Sequence, residues 1–244
     1  MTNRLRVATF NVLADSYTKC GDYRHAPERL MQTGGRIHPL TSLIGRLGAD
    51  VVGLQEVEQP LAEALDATGN WQSFWSQKDD ASDGCLTLVR NGLAIDGEET
   101  IRYGDGSGHV AQVVKVGNVV VANTHIQWEL TNRTAQTQEL LARVATKPHV
   151  VLVGDFNDRP GEPARKMIAE AGFEILLGDT PTAFIANRDG LASVDLFAVR
   201  GLQAELVPIE LGEDFDIRGI PNDLCPSDHI PTMAQVTPPH TSLL

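Results

Sequence analysis

The sequence predicts one α/β domain, a sandwich of two packed sheets that are mixed and largely antiparallel, with helices on the outside. Three observations lead to this fold class. Short β-branched runs alternate with turn residues, amphipathic helical segments occur in both halves of the chain, and no linker or internal repeat separates the halves. With 244 residues, of which 42% are hydrophobic and 21% charged, the chain can bury one large core. We expect this domain to span residues 1–237 and residues 238–244 to form a C-terminal tail.

The chain begins with two predicted strands and two predicted helices. Arg4–Leu13 alternates and is β-branched, which predicts a strand that ends near Asn11, and apolar residues recur at helical spacing within Pro39–Gly48. A glycine at the end of such a pattern is typical of a helix C-terminus. The other elements of this part are a loop or short helix over Ala14–His38, a buried strand over Asp50–Glu56 and a helix over Gln59–Thr68.

The middle of the chain predicts an antiparallel meander, because consecutive strand-like runs are joined by short turns. The runs are Trp71–Gln77, Cys85–Arg90, Leu93–Tyr103, His109–Val116 and Val119–Trp128, with turn signals at 83–84, 91–92, 104–108 and 117–118. The rest of the chain predicts helices over Thr131–Val144 and Pro163–Ala171 and strands over Val150–Phe156, Ser193–Val199, Ala204–Ile209 and Pro231–Val236.

The stretch Val150–Pro160 is typical of a buried strand that runs into a functional loop. Side chains two residues apart along a strand share a face, so Asp155 and Asn157 are expected to project together while Phe156 turns back into the core. A carboxylate suits an attacking water and a neutral amide suits a phosphate oxygen. Gly-Asp and Asn-Asp pairs also make ordinary turns, so this stretch alone leaves both interpretations open.

Similar polar clusters follow other apolar runs of the sequence. The six clusters are Asn11; Gln55-Glu56; Asn123-Thr124-His125; Asp155 with Asn157; Asp195; and Ser227-Asp228-His229. Each has a structural explanation by itself, but six such placements at strand ends predict one platform for chemistry. Carboxylate and amide oxygens are ligands that Mg²⁺ prefers, whereas the thiolates and histidine pairs of zinc sites and the P-loop of many nucleotide hydrolases are missing from the sequence.

The motifs TFNVL, LQEVE, NTHIQW, GDFND, SVDLF and PSDHIP resemble, in this order, those of the endonuclease/exonuclease/phosphatase superfamily. The resemblance extends from Val7 to Pro231. Within it, FNVLADSY, DGCLTLV, NTHIQW and GIPNDLCPSDHIP are most similar to the branch that contains deadenylases, nocturnin and Angel proteins. The resemblance implies a four-layer α/β sandwich and Mg²⁺-dependent hydrolysis of phosphoesters, with Mn²⁺ as a substitute metal.

The resemblance also implies a role for each matched residue. Glu56 is the principal Mg²⁺ ligand, with Asn11 beside it and Asp228 near the metal. Asp155 orients or deprotonates the attacking water, whereas Asn157 and His125 contact the phosphate. His229, paired with Asp195, binds or protonates the scissile phosphate group. An aspartate beside a histidine favours the imidazolium form, which suits a developing negative charge.

Several residues outside these motifs are candidates for substrate binding. Trp128 is either a base-stacking residue or a core aromatic, and Arg90 is a further candidate for contact with substrate. Basic residues before the first helix form either a phosphate clamp beside Asn11 or an ordinary solvated surface. They are Lys19, Arg24, His25, Arg29 and Arg36.

Charge restricts the class of substrate. Residues 1–48 carry seven Lys/Arg against three Asp/Glu, a net of +4, which leaves −16 on the other 196 residues given the total of −12. Because an acidic surface repels a long polyanion, we expect no binding to long duplex DNA. We expect a phosphodiesterase that acts on RNA ends or short oligonucleotides. The alternatives are a phosphatase for a terminal group, such as a 2′,3′-cyclic phosphate, or for a small nucleotide or sugar phosphate, and a catalytically inactive binding module.

The cysteines and the apolar runs predict the compartment. Cys20, Cys85 and Cys225 are odd in number, far apart and without metal-ligand spacing, which favours reduced thiols in the cytoplasm. No apolar run approaches the roughly 20 residues of a membrane span, and residues 1–6 lack the apolar region of a signal peptide. We therefore expect a cytoplasmic monomer without membrane association.

Overall fold

Two six-stranded sheets form the centre of the protein in a computed structural model, which describes residues 4–185 and 190–239. The strands are β1 Leu5–Asn11, β2 Val51–Glu58, β3 Trp71–Gln77, β4 Asp83–Arg90, β5 Ile95–Arg102, β6 Val110–Val116, β7 Val119–His125, β8 Val150–Asp155, β9 Glu174–Ile175, β10 Ala183–Ile185, β11 Gly190–Ala192, β12 Asp195–Arg200, β13 Gln203–Leu206 and β14 Thr232–Thr237. The α-helices are α1 Glu28–Met31, α2 Ile37–Arg46, α3 Gln59–Asp66, α4 Leu130–Val144 and α5 Pro163–Glu170. Short 3₁₀ turns lie at Tyr17–Lys19 and Ile217–Gly219.

Both sheets are mixed and mostly antiparallel, as predicted. The first sheet has the order β13-β14-β1-β2-β4-β3, and the second has the order β5-β6-β7-β8-β12-β9. One pair in each sheet is parallel, namely β1 with β2 and β7 with β8. A separate hairpin pairs β10 with β11.

Three apolar clusters separate the layers. Valines from both sheets, such as Val51 of β2 and Val151 of β8, pack between the sheets. The outer face of the first sheet packs against α2 and α3, and the outer face of the second sheet packs against α4 and α5. The order helix–sheet–sheet–helix follows from the alternation of side chains along each strand, and it confirms the predicted four-layer sandwich.

The prediction of one continuous meander was wrong. Strands β3 and β4 belong to the first sheet, whereas β5, β6 and β7 belong to the second. The chain therefore crosses between sheets after β4, although the turn signal at Asn91-Gly92 is present. The turn predicted at Asp83-Gly84 is also absent, because these residues begin β4 and pair with β2 and β3. Short strands with similar patterns do not specify which sheet they join.

Some elements were not predicted from the sequence, and one predicted segment extends beyond the described residues. The short strands β9, β10 and β11 have too few residues for a periodic pattern to be recognised. Residues 240–244 of the predicted tail lie outside the described residues, and the boundary at residue 237 stays a prediction. Among the helices described, none is long and apolar enough to cross a membrane.

A buried amide joins the two sheets beneath the rim where polar strand ends meet. Asn123 of β7, in the second sheet, donates from Nδ2 to the carbonyl oxygens of Leu54 (3.1 Å) and Leu86 (3.2 Å), in the first sheet. Gln55 Nε2 donates to Asn123 Oδ1 at 2.7 Å. Gly53 leaves room for this approach, since a Cβ there would lie 2.9 Å from Asn123 Cγ. The amide thereby fixes how the sheets are placed relative to each other.

We expect Asn123→Ala to lower the free energy of unfolding by about 2–4 kcal/mol, because it removes hydrogen bonds between the sheets and leaves buried polar groups unpaired. Urea denaturation measures the change. Gln203→Ala on the exposed strand β13 is the matched amide control and is expected to change stability little. Equal effects of both substitutions would contradict the role of Asn123 as a link between sheets.

Candidate active site

Strand direction brings polar side chains from both sheets to one rim. In the second sheet, His125 at the end of β7 pairs with Asp155 at the end of β8, and Asp155 pairs with Asp195 at the start of β12. In the first sheet, Asn11 at the end of β1 pairs with Gln55 of the parallel strand β2. Parallel neighbours end at the same edge and antiparallel neighbours begin there.

Asn11 joins the carboxylates of the two sheets. Its Nδ2 donates to Glu56 Oε1 at 2.9 Å and to Asp155 Oδ2 at 3.0 Å. Its Oδ1 accepts the backbone N–H of Leu13 at 3.0 Å, which fixes the orientation of the amide. In this arrangement the NH₂ group of Asn11, rather than its oxygen, faces the carboxylates and holds Glu56 and Asp155 together. The expectation that Asn11 is itself a metal ligand stays a prediction.

Backbone irregularity aims Glu56 at the rim. The pairing of β2 with β4 shifts between Leu54 and Val57, and Glu56 has a φ of +57°, in the left-handed region. Such a φ is strained for a residue with a long side chain and is common at functional sites. The second carboxylate oxygen of Glu56 accepts the N–H of Ala14 at 3.0 Å, which holds the side chain in place.

His229 and Asp195 form a buried dyad beside Asp155. His229 Nδ1 lies 2.8 Å from Asp195 Oδ2, and His229 Nε2 lies 3.7 Å from Asp155 Oδ2. Burial by itself would lower the pKa of His229, but the carboxylates of Asp195 and Asp155 raise this pKa well above its ordinary value. Ser227 anchors the loop before His229, since its hydroxyl donates to the carbonyl of Asn11 at 2.7 Å.

His125 and Asn157 lie on the opposite side of Asp155. Asn157 Nδ2 is 3.2 Å from His125 Nε2 and donates to the carbonyl of Ile126 at 2.9 Å. Strand β8 ends at Asp155, and Asn157 then adopts a φ of +50°, while its N–H donates to Asp155 Oδ1 at 2.9 Å. Phe156 is fully buried in the core, as predicted. The two polar side chains thus face the cleft by means of a tight turn rather than by continuation of the strand.

Repulsion among buried carboxylates marks this rim as a site for a cation. Burial and the negative charge of Asp195 raise the pKa of Asp155 to about 7, although the positive charge of His229 acts in the opposite direction. Burial and the charge of Asp228 raise the pKa of Glu56. Ligand atoms of Glu56, His125 and Asp155 all lie within 4.8 Å of one another, as do those of Asp155, Asp195 and His229.

The residues of the site that were missed from the sequence include Lys78, Asp83, Tyr17 and Tyr23. Lys78 Nζ lies 2.7 Å from Asp83 Oδ2, and the Tyr17 hydroxyl donates to Asp83 Oδ1 at 2.9 Å. The Tyr23 hydroxyl donates to Asp228 Oδ2 at 2.7 Å. Lys78 directly follows β3, so the presence of polar residues at strand ends could have identified it. The tyrosines lie in an irregular segment, where the sequence carries no such signal.

The rim opens into a cleft of about 430 Å³. Glu56, Asp155, His229, His125, Asn157, Asp228 and Lys78 line it, together with the aromatic residues Tyr17, Tyr23 and Trp128. Trp128 is 64% exposed, so the alternative that it is a core aromatic was wrong. A cleft that combines buried charged groups with an exposed indole can hold the phosphate of a ligand and contact a base or other ring of the same ligand.

The predicted arginines do not gather at the cleft. Arg90 lies about 23 Å along β4 from Asp83, at the opposite rim, where it binds the carbonyl of Ala49. Arg24 is 90% exposed in its side chain and pairs with Asp22, and Arg29 pairs with Asp223. The substrate-binding expectation is therefore corrected for Arg90, whose strand runs away from the site. Arg24 and Arg29 make their ion pairs outside the residues that line the cleft.

Two other members of the suggested clamp, Arg36 and His25, have structural partners. Arg36 is buried and donates to the carbonyl of Val12 at 2.7 Å while it pairs with Asp15. His25 Nε2 lies 2.8 Å from the carbonyl oxygen of Ile220. Both side chains connect the segment before α2 to the rest of the fold.

The model of the Endonuclease/Exonuclease/phosphatase family matches residues 8–229 of the sequence. The chain belongs to this family. This membership confirms the family resemblance that the sequence motifs indicated. The polar strand ends therefore belong to a member of a family of phosphoric ester hydrolases.

Relatives of this family member include two curated proteins. It is 24% identical to Carbon catabolite repressor protein 4 homolog 4 of Arabidopsis thaliana, with 65% of this chain and 54% of the relative covered. It is 26% identical to the CCR4-Not complex 3′-5′-exoribonuclease subunit Ccr4 of Aspergillus clavatus, with 52% of this chain and 25% of the relative covered. The chain thus spans about half the length of the first relative and a quarter of the second.

A solved structure shares the fold over nearly the whole length. The structure of ANGEL2, described as a 2′,3′-cyclic phosphatase, is similar with a TM-score of 0.84. The two are 17% identical, and the similarity covers 97% of this chain and 95% of that one. At this identity, the likeness establishes the fold.

We expect the metal-free protein to lose stability as the pH rises from about 4 to about 8, in part because of Asp155. The pKa of Asp155 is raised in the fold, so its favourable contribution is present below its unfolded pKa and is lost as the pH rises through about 7. Asp155→Asn removes the titrating group and should flatten this dependence. The melting temperature in EDTA, measured across the pH range, gives the comparison.

The control for this measurement is Asp66→Asn, an exposed aspartate at the end of α3. It should follow the wild-type profile. If Asp155→Asn and the wild type lost stability in parallel over the same pH range, the raised pKa of Asp155 would be refuted.

Proposed function

We propose that this chain is a Mg²⁺-dependent phosphodiesterase that hydrolyses phosphoester bonds at RNA 3′ ends or in short oligonucleotides. The observation that carries the proposal is the convergence of Glu56, Asp155 and His229 in one cleft, with His125 and Asn157 beside them. These groups provide a cation site, a base and proton or hydrogen-bond donors within reach of one phosphate group.

The donor set fits a hard divalent cation. Glu56 and Asp155 lie close enough to share an ion. Asp228 is the third carboxylate of the site, and its charge raises the pKa of Glu56. Oxygen donors of this kind suit Mg²⁺, with Mn²⁺ as a substitute. When bound there, the ion would neutralise negative charge on the phosphate group. The bound ion would also relieve the repulsion between these carboxylates, which would favour its binding.

The protein's own residues supply the remaining chemistry. Asp155 orients the attacking water and accepts its proton as the new phosphorus–oxygen bond forms. The dyad keeps His229 as an imidazolium, because Asp195 accepts from its Nδ1 at 2.8 Å, which leaves the Nε2–H for the phosphate and the departing oxygen. The bond between phosphorus and that oxygen then breaks. Asn157 and His125 hold a non-bridging oxygen.

The choice of RNA ends rests on charge and on the cleft. An acidic chain with a net charge of −12 gives little non-specific affinity for a long polyanion. Trp128 borders the cleft and is exposed, so it can stack on a base next to the phosphate. The names of the curated relatives, one of which is a 3′-5′-exoribonuclease subunit, are consistent with such a substrate.

The second candidate is a phosphatase that opens or removes a terminal group such as a 2′,3′-cyclic phosphate, or that acts on a small nucleotide or sugar phosphate. It is favoured by the extent of the likeness to the ANGEL2 structure. The same catalytic groups would serve either reaction. An inactive binding module is disfavoured, because every carboxylate, amide and imidazole matched to the family motifs is present.

The remaining features of the proposal concern the state of the protein in the cell. The three cysteines are free, and two of them are buried, as suits a reducing compartment. We propose that the protein acts in the cytoplasm as a monomer.

The deciding experiment is a panel of substrates assayed with Mg²⁺ and with EDTA. The panel contains poly(A) RNA, RNA with a 3′-phosphate or a 2′,3′-cyclic phosphate, single-stranded DNA and dinucleotides. We expect Mg²⁺-dependent shortening of RNA. A change of the end group without loss of length would favour the phosphatase, and activity that is unaffected by EDTA would count against the metal site.

We expect Asp155→Asn and His229→Ala to lower kcat by roughly 10³-fold or more, because each removes a group that acts on the reacting atoms. Both variants should remain folded, as judged by circular dichroism. The matched controls are Asp66→Asn and His38→Ala, both at exposed helix positions, which should retain wild-type rates. Near-normal turnover in either active-site variant would refute its assigned role.

We expect Trp128→Ala to raise KM for oligonucleotides about 5- to 150-fold, since stacking on an aromatic ring contributes about 1–3 kcal/mol per base. The expected change in kcat is small. Trp128→Phe should restore most of the affinity, whereas Leu130→Ala, an exposed apolar residue next to it, should have no effect. An unchanged KM in Trp128→Ala would remove this residue from the binding surface.

A further inference from the structure

Lys78 is a buried cation in the cleft for which the proposed reaction has no role. Its side chain is 4% exposed, and its ammonium group lies 2.7 Å from Asp83 Oδ2 and 3.3 Å from His125 Nδ1. The ring of Tyr17 covers it at 5.9 Å, and the Tyr17 hydroxyl holds the same aspartate. Lysine is rarely buried unless it is paired, so these contacts fix the position of the ammonium group.

The contact with Lys78 restricts where His125 carries its proton. An ammonium group has three donors and no acceptor, so it can bond to Nδ1 only through a lone pair. A neutral imidazole has one N–H, which must then be on Nε2. With the proton on Nδ1, the N–H would point toward a positive charge, and the carboxylate oxygen nearest to Nδ1, Glu56 Oε1, is 4.0 Å away.

The Nε2 side of His125 faces another donor. Asn157 Nδ2 is 3.2 Å away, and its bond to the carbonyl of Ile126 identifies that atom as the amide nitrogen. Asp155 Oδ2 is 3.8 Å from His125 Nε2, beyond hydrogen-bond distance. With the ring proton on Nε2, this 3.2 Å contact places two N–H groups side by side in the cleft, so that one oxygen of a ligand can accept from both.

We propose that Lys78 is a positioning residue that keeps the ring proton of His125 on Nε2, so that His125 and Asn157 present two donors to a single phosphate oxygen. The identity of that oxygen rests on the proposed function, whereas the position of the proton does not. Donors held in place before the substrate arrives stabilise charge that develops during reaction. Burial and the charge of Lys78 lower the pKa of His125 well below its ordinary value, in agreement with a neutral ring.

The test reads the tautomer directly. Long-range ¹H–¹⁵N spectra of the full chain, labelled with ¹⁵N-histidine and kept in EDTA, distinguish Nδ1–H from Nε2–H, and His125→Ala assigns the signal. We expect Nε2–H in the wild type. Lys78→Met/Asp83→Asn removes both charges without leaving a buried carboxylate unpaired, and it should shift the proton toward Nδ1, because Asn157 can then donate to Nε2.

Kinetics provide the second readout. On the substrate that the wild type hydrolyses, the double variant should lose roughly 10- to 100-fold in kcat/KM, as for other residues that orient a ligating or catalytic histidine. Lys78→Arg, which retains a donor, should recover part of the loss. Lys115→Met, at an exposed position of β6, is the matched control and should behave as the wild type.

A wild-type signal from Nδ1–H would overturn the inference, and so would an unchanged tautomer in the folded double variant. The two proposals fail separately. If no substrate of the panel is hydrolysed, the proposed function fails, while the spectra still decide whether Lys78 controls the proton of His125.

Discussion

The amide of Asn123 is the contact on which the geometry of this molecule depends. It lies between the sheets and hydrogen-bonds the backbone of β2 and β4, and Gly53 is the position that allows the approach. His125 follows it by two residues on β7, and Glu56 follows its partner Gln55 on β2. The same hydrogen bonds that fix the sheets therefore fix the separation of side chains that reach the rim. Apolar packing between sheets is not directional and could not specify this placement by itself.

The rim contains several acidic side chains that the fold buries although their negative charges repel one another. The fold buries carboxylates from both sheets, which costs free energy and raises the pKa of Asp155 and Glu56. Two of the acidic groups are offset by cations, since Asp83 pairs with Lys78 and Asp195 with His229. The others lack a cation at such short range within the described residues, which is the electrostatic condition for a divalent ion. Asn11 holds them together without supplying charge.

The residues around the site differ from the charged groups at its centre. Aromatic and imidazole rings border the cleft, while the arginines of the N-terminal region pair with aspartates elsewhere. A cleft of this kind contacts one end of a chain or a small ligand through rings and a few buried donors. An extended basic surface, which a long duplex would need, is not formed by these arginines.

Part of this organisation was determined by the sequence alone. Apolar runs that end in Asn11, Glu56, His125 or Asp155 specify strands with polar ends, because alternation and composition are local properties. The helices α2, α4 and α5 were predicted for the same reason, and the ordered motifs led to the family. Lys78 is also a polar residue at a strand end, but its role depends on His125, which lies 47 positions further along the chain.

Only the tertiary structure decided the contacts between distant segments. The direction of a strand within its sheet determines which end reaches the rim, so Arg90 lies far from the site although it ends a strand as His125 does. The crossing from β4 to β5 divides the predicted meander, because either sheet can accept strands of this length. The family resemblance implied the pairing of His229 with Asp195, but the geometry of that bond and the orientation of Asn11 arise from packing of the two sheets, which no local pattern encodes.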